Sequence, residues 1–149
     1  MRNMILFKSA SVASTRSRKL EVCDVLVKEG RVESVAVNLE HKDGAKVIQA
    51  EGKVLLPGLF DLHVHFREPG QTSKENIFTG SEAAINGGVT GVVAMPNTAP
   101  AIDSGGLVRS VMDIAKRNAR IPVYTTGCIT KERKGIEMTP IAGMKSAGA

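Results

Sequence analysis

The strongest constraint on the fold is a change of sequence pattern at Pro57-Gly58. Before this point, short β-branched and leucine-rich runs alternate with glycine turns, and the runs are MILF, VCDVLV, RVESVAV, VIQA and KVLL. After it, strand-like runs alternate with helical patterns. We therefore predict two parts, a small antiparallel β unit over residues 1–56 and an α/β unit over residues 57–149.

The α/β unit is predicted to contain three strand–helix pairs. The predicted strands cover residues 60–66, 89–95 and 121–126, and the predicted helices begin at a capping box over 72–75, at Asp103 or Ser104, and at Thr139. This alternation is typical of a parallel sheet. An eight-stranded barrel has about 250 residues. If the unit opens such a barrel, the chain holds three of its eight strand–helix units, and we expect it to be incomplete.

Composition limits the class of protein. The chain is 42% hydrophobic and 23% charged, which is typical of a globular protein. It has no apolar run of about 18 residues, and its two cysteines form no CxxC pair, so we expect a cytoplasmic protein without a membrane partner. The net charge of +5 comes from scattered basic residues with 3% aromatics, which disfavours nucleic-acid binding.

Three ionisable residues lie in the first predicted strand of the α/β unit. Strand side chains alternate between faces, so Asp61, His63 and His65 are predicted to share one face. The opposite face, predicted to pack on helices, is made by Phe60, Leu62, Val64 and Phe66. Two imidazoles two residues apart can bind one metal ion, but zinc normally takes three or four protein ligands. The remaining histidine, His41, lies in a polar loop that favours a surface position.

Polar residues follow two of the predicted strands. Arg67 comes after the first strand and Asn97 after the second, so both should lie at the same edge of a parallel sheet. An arginine and an amide beside a metal site suit a substrate with a carboxylate. Alternatively, Arg67 pairs with Glu68 or Glu75 and Asn97 shapes a turn. The spacing favours neither interpretation.

The segment PGLFDLHVHFREPGQTSKENIFTGSEAAINGGVTGVVAMPNTAPAID resembles the opening of the dihydroorotases, and specifically the type I bacterial form within the amidohydrolase superfamily. The DxHxH pattern is similar to the whole superfamily, whereas REPG, GGVT and MPNTAP together resemble dihydroorotases. Hydantoinases, dihydropyrimidinases and allantoinases share the histidine pair but typically lack this combination.

The resemblance implies a fold and an activity. The fold would be a TIM-like (β/α)8 metallo-dependent hydrolase barrel, here its first three βα units, preceded by part of a small β-sandwich built from both chain ends. The activity would be the zinc-dependent, reversible cyclisation of N-carbamoyl-L-aspartate to L-dihydroorotate in de novo pyrimidine (UMP) biosynthesis, with two zinc ions in a complete site.

The resemblance also implies residue roles. His63 and His65 would be metal ligands, Arg67 and Asn97 would bind the substrate carboxylate, and Asp61 would support the ligands. The family's bridging aspartate, later histidines and general acid and base aspartate would all lie beyond Ala149. We therefore expect no catalytic residue within the 149 residues and no activity from them alone.

Two alternatives remain open at this stage. The complete protein could be another cyclic amidohydrolase, such as a hydantoinase, dihydropyrimidinase or allantoinase. It could also be a non-catalytic, dihydroorotase-like partner of aspartate transcarbamoylase. The implied partners are the small-molecule substrate, aspartate transcarbamoylase and further copies of the same chain.

Overall fold

A computed structural model describes residues 4–13, 17–40 and 44–149. The chain divides into two compact units, Met1–Pro57 and Gly58–Ala149. The residues described include no helix that is both long enough and apolar enough to cross a membrane. His41 lies outside the described residues.

The first unit is a five-stranded sheet. Its strands are β1 (Met4–Ala13), β2 (Leu20–Lys28), β3 (Arg31–Ala36), β4 (Lys46–Gln49) and β5 (Val54–Leu55). The strand order is β3-β2-β1-β4, and β5 also pairs with β1. The first three strands are antiparallel, as predicted, but β4 and β5 run parallel to β1. The prediction of a purely antiparallel unit is therefore wrong.

The central strand β1 is ten residues long, whereas the sequence pattern predicts a strand only over MILF. Its later part is rich in serine and alanine, with little of the β-branched pattern of a strand. It remains a strand because β2 pairs with one edge while β4 and then β5 pair with the other. Backbone pairing on both edges satisfies its N–H and C=O groups regardless of side-chain polarity.

A buried carboxylate holds an irregular point of β1. Ser9 has a φ of 56° where the pairing with β2 is interrupted. Asp24, on β2, accepts hydrogen bonds from the N–H of Ser9 at 2.8 Å and of Leu39 at 2.9 Å. The Lys8 ammonium donates to the same carboxylate at 2.5 Å. Asp24 thus ties β1 to the end of the segment that follows β3.

These contacts set the ionisation of Asp24. The hydrogen bond from Lys8 lowers the pKa of Asp24 below its ordinary value of 3.8, burial opposes this, and the N–H groups of Ser9 and Leu39 lower the pKa further. A lowered pKa in the folded state stabilises the fold above the unfolded-state pKa. That stabilisation is lost as the pH falls through the folded-state pKa.

We predict that Asp24→Asn lowers the free energy of unfolding of the first unit by about 2–3 kcal/mol at neutral pH, because the charge-assisted bonds are lost. The difference from wild type should be constant above about pH 5 and shrink below about pH 4. Urea unfolding followed by NMR signals of β1 and β2 measures it, since the chain has no tryptophan and its one tyrosine, Tyr124, lies in the second unit.

The matched control is Glu21→Gln, which removes an exposed carboxylate from the same strand. It should change the free energy of unfolding by less than about 0.5 kcal/mol. A difference between wild type and Asp24→Asn that stays constant down to pH 2 would contradict the role of the charge.

The second unit alternates strands and helices, so the predicted α/β class is confirmed. Its elements are β6 (Leu59–Val64), α1 (Ile77–Asn86), β7 (Val89–Ala94), α2 (Gly105–Asn118), β8 (Val123–Thr125) and α3 (Ile141–Ser146). The strands form a parallel sheet in the order β6-β7-β8.

The two faces of this sheet differ. One face packs on the helices through a core that includes the fully buried Ile77, Val92 and Val108. On the other face Phe60 and Tyr124 are about half exposed, with their ring centroids 5.9 Å apart. Gly91 lies on the strand between them, and a Cβ there would come within 2.5 Å of the Phe60 ring. The glycine therefore leaves room for Phe60 to reach across β7.

Two helix starts differ from the prediction. The capping box of α1 is formed by Asn76 and Thr79, which exchange side-chain to backbone hydrogen bonds, and not by residues 72–75. Helix α3 begins after Pro140. Thr139, the predicted cap, instead donates its hydroxyl to the Cys128 carbonyl at 2.6 Å. In both places the predicted capping residues have suitable side chains, but the structure does not use them as the cap of the helix.

Candidate functional site

The two histidines stand side by side at the end of β6. Their ring centroids are 5.1 Å apart in an edge-to-face arrangement, and both side chains are exposed. Phe66 belongs to the buried core under the helices, and Val64 packs against that core. Because these two residues alternate with His63 and His65, the imidazoles lie on the face of β6 that points away from the helices.

The sequence predicts that the alternation extends back to Asp61, but the structure interrupts it before that residue. Asp61 aligns with Val92 and Val64 with Ala94, so three steps along β6 match two steps along β7. One extra residue in one strand is a β-bulge, which reverses the faces before and after it. The prediction that Asp61 shares a face with both histidines is therefore wrong.

The bulge also changes the predicted apolar face. Phe60 and Leu62 are 49% and 71% exposed, so they do not join the core under the helices. Asp61 instead turns back on its own strand, and its carboxylate accepts a hydrogen bond from the His63 N–H at 3.0 Å. Asp61 thus contacts the backbone of the first histidine.

Asn97 reaches the second histidine from the neighbouring strand. The N–H of Met95 donates to the Val64 carbonyl at 2.9 Å, which extends the pairing of β6 and β7 beyond the end of β7. Two residues later, the side-chain oxygen of Asn97 lies 2.8 Å from His65 Nδ1. The structure therefore brings Asn97 into direct contact with His65, the second histidine of the pair.

Arg67 follows the histidines in a left-handed backbone conformation, with a φ of 58°. Such a conformation costs on the order of 1–3 kcal/mol for a residue with a side chain. Among the described residues, no acceptor pairs with its guanidinium. Glu68 accepts from the Ile77 N–H at 2.9 Å and Glu75 from the Asn76 N–H at 3.2 Å. The pairing of Arg67 with either glutamate, one of the two open interpretations, is not present.

The loops that carry Arg67 and Asn97 are in contact. The N–H of Ala99 donates to the Pro69 carbonyl at 3.2 Å. Gly70 has a φ of +85°, and a Cβ at this position would lie 1.6 Å from the Ala99 carbonyl oxygen. The REPG and MPNTAP segments therefore fit together only because residue 70 has no side chain.

The histidine pair has the donor chemistry of a partial zinc site. Neutral imidazoles suit zinc, and two that lie on one face can bind the same ion. The described ranges contain no group of three or more histidine, cysteine, aspartate or glutamate residues that could hold a metal ion. His63 and His65 therefore fit a metal site as two of its three or four ligands.

The sequence does not predict two contacts at the site. One is the Glu68 carboxylate at the N-terminus of α1, and the other is the approach of Gly70 to Ala99. A glutamate nine residues before the helix carries no local capping signal. Both contacts depend on how the loop folds back on its neighbours.

We predict that Gly70→Ala lowers the free energy of unfolding of the second unit by at least about 2 kcal/mol, because it adds a clash with backbone to the strain of a positive φ. Gly135→Ala is the matched control, since Gly135 also has a positive φ but no atom within 4 Å of an added Cβ. Urea unfolding followed by Tyr124 fluorescence compares them. Equal losses in the two variants would contradict the close approach of the loops.

Sequence comparisons with known proteins indicate one family. A family model described as Dihydro-orotase-like matches residues 52–149. A dihydroorotase from Sulfurihydrogenibium sp. (strain YO3AOP1) is 42% identical over 146 residues, which are 98% of this chain and 34% of that protein. A dihydroorotase from Streptococcus pneumoniae is 43% identical over 146 residues, with 98% and 34% covered. The chain thus spans about a third of the length of these relatives.

Solved structures resemble the fold. An L-hydantoinase (dihydropyrimidinase) from Arthrobacter aurescens matches with a TM-score of 0.77 at 24% identity, over 87% of this chain and 28% of that one. A dihydropyrimidinase from Brevibacillus agri NCHU1002 matches with a TM-score of 0.73 at 27% identity, over 85% and 27%. With a family model that covers most of its length, the chain belongs to the dihydro-orotase-like family.

Proposed function

We propose that the protein containing this chain is a dihydroorotase, which catalyses the zinc-dependent, reversible cyclisation of N-carbamoyl-L-aspartate to L-dihydroorotate. The reaction would serve de novo pyrimidine biosynthesis in the cytoplasm. The observation that carries the proposal is the grouping at one sheet edge of two adjacent imidazoles with Asn97, followed by an arginine whose guanidinium is unpaired among the described residues. The 38–43% identity to proteins named dihydroorotase supports it.

His63 and His65 are proposed to hold a metal ion, with two zinc ions in the complete site. Bound zinc would polarise the carbonyl of the amide and make water a better nucleophile at neutral pH. The two residues differ in their own contacts. Asp61 accepts a hydrogen bond from the backbone N–H of His63, and Asn97 contacts the ring of His65.

Arg67 is proposed to bind the carboxylate that both reactants carry. A guanidinium offers parallel N–H donors that match the two carboxylate oxygens. The strained backbone of Arg67 lies in a loop held by Glu68 and by the contact with Ala99. The amide nitrogen of Asn97 is proposed as a second donor to the same carboxylate.

No residue of this chain is proposed as the general acid or base. Asp61 is the nearest carboxylate in sequence, but it accepts a hydrogen bond from the backbone of His63. Two imidazoles are also fewer ligands than zinc normally takes. We therefore expect the 149 residues alone to bind zinc weakly and to lack turnover.

We predict that the full product of the gene encoding this chain hydrolyses L-dihydroorotate, loses the activity with a chelator and regains it with zinc. His63→Ala should lower kcat/KM by at least ~10³-fold, because metal catalysis contributes several kcal/mol. His41→Ala is the matched histidine control and should leave kcat/KM unchanged. A His63→Ala enzyme with wild-type activity would contradict the proposed function.

We predict that Arg67→Gln raises the KM for L-dihydroorotate by ~30-fold or more, because loss of a hydrogen-bonded charge pair with the substrate costs about 2 kcal/mol or more. The KM for dihydrouracil, which is the same ring without the carboxylate, should be unaffected. Arg109→Gln removes an exposed arginine of α2 and should change neither value. Equal effects on both substrates would show that Arg67 does not bind the carboxylate.

The second candidate is another cyclic amidohydrolase, favoured by the structural likeness to hydantoinases and dihydropyrimidinases. Turnover of hydantoin, dihydrouracil or allantoin faster than of L-dihydroorotate would establish it. A full gene product that turns over none of these rings but binds aspartate transcarbamoylase would establish the non-catalytic alternative.

A further inference from the structure

One contact at the site is made between two protein side chains. The side-chain oxygen of Asn97 lies 2.8 Å from Nδ1 of His65. We propose that Asn97 is a positioning residue for His65, which holds the imidazole in the Nδ1–H form and leaves the lone pair of Nε2 free. The inference rests on the proposed function in one respect, since it assigns Nε2 as the nitrogen that binds the metal.

The chemistry of the two groups links the position of the imidazole proton to the orientation of the amide. A neutral imidazole has one N–H and one lone pair, and an amide oxygen can only accept. With the oxygen against Nδ1, the proton must be on Nδ1, and Nε2 can bind a metal without losing a proton. With the amide turned over, its NH₂ would face a lone pair on Nδ1 and the proton would be on Nε2. The orientation of Asn97 therefore selects which nitrogen is available.

The backbone fixes this contact from both sides. The N–H of Met95 donates to the Val64 carbonyl at 2.9 Å, and the Pro96 carbonyl accepts from the Ile102 N–H at 3.1 Å. The first bond fixes the chain just before Asn97, and the second closes the loop that contains Asn97. His65 follows directly after Val64, which packs on the core. The two side chains thus meet from segments whose positions are already set.

The other histidine provides a comparison within the same site. The N–H of its backbone bonds to Asp61, but in the described part of the chain the His63 ring has no hydrogen-bond partner. A neutral histidine side chain without a partner favours the Nε2–H form. We therefore expect the two adjacent imidazoles to carry their protons on different nitrogens before metal is added.

The first test reads the tautomers directly. NMR of the ¹⁵N-labelled, metal-free chain at about pH 8.5, where imidazoles are ordinarily neutral, should show Nδ1–H at His65 and Nε2–H at His63. Asn97→Leu should convert His65 to Nε2–H, and Asn97→Asp, whose carboxylate only accepts, should keep Nδ1–H. The matched control Asn118→Leu, at the exposed end of α2, should change neither ring.

The second test measures zinc affinity by titration of the metal-free full gene product. Asn97→Leu should weaken zinc binding by ~10–100-fold, as is usual for loss of a residue that orients a ligand. Asn97→Asp should keep wild-type affinity or exceed it. If Asn97→Leu does not fold, the comparison of wild type with Asn97→Asp and the wild-type tautomer still decide the question.

The outcomes separate this inference from the proposed function. Nε2–H at His65 in the wild type, or equal zinc affinity in wild type and a folded Asn97→Leu, would overturn the role of Asn97 and leave the metal site intact. Nδ1–H at His65 in a wild-type protein that binds no zinc would support the tautomer and contradict the proposed function.

Discussion

The candidate site depends on the parallel pairing of β6 with β7. His65 and Asn97 are 32 residues apart in the chain, yet the pairing ends both strands at the same edge, and one further hydrogen bond from Met95 to Val64 carries the alignment past β7. The helices bury the other face of the sheet, which leaves this edge and the face of the imidazoles uncovered within the second unit. Ordinary sheet geometry thus assembles groups that no local motif could bring together.

Local sequence signals predict the elements well and their partners poorly. Strand–helix alternation after Pro57 gives the α/β class because apolar periodicity is a property of each segment. The bulge in β6 is different, since the pattern FDLHVHF alternates without a break and only pairing with β7 reveals the extra residue. Likewise, residues 72–75 and the pair Asn76 and Thr79 both have the chemistry of a capping box. The helix begins at the second pair, where the N–H of Ile77 also donates a hydrogen bond to Glu68.

For the site residues, the sequence likewise predicts position along the fold better than side-chain contacts. His63, His65 and Asn97 come together because they lie at or just beyond the ends of neighbouring strands, which sequence spacing can predict. The contact between Asn97 and the ring of His65 could not be predicted, because a motif does not say where a side chain points. Asp61 shows the opposite case, since its place in the motif is clear but the bulge turns it away from the predicted face.

The approach of Gly70 to the Ala99 carbonyl has a consequence for how such a site can diversify. There is no room for even a methyl group between the loop after β6 and the loop after β7. A substitution in one loop therefore affects the packing of the other. A change that enlarges or re-routes either loop must be matched in the other. New substrate preferences would then arise more readily from segments that do not share this contact, while the loops bearing Arg67 and Asn97 vary together.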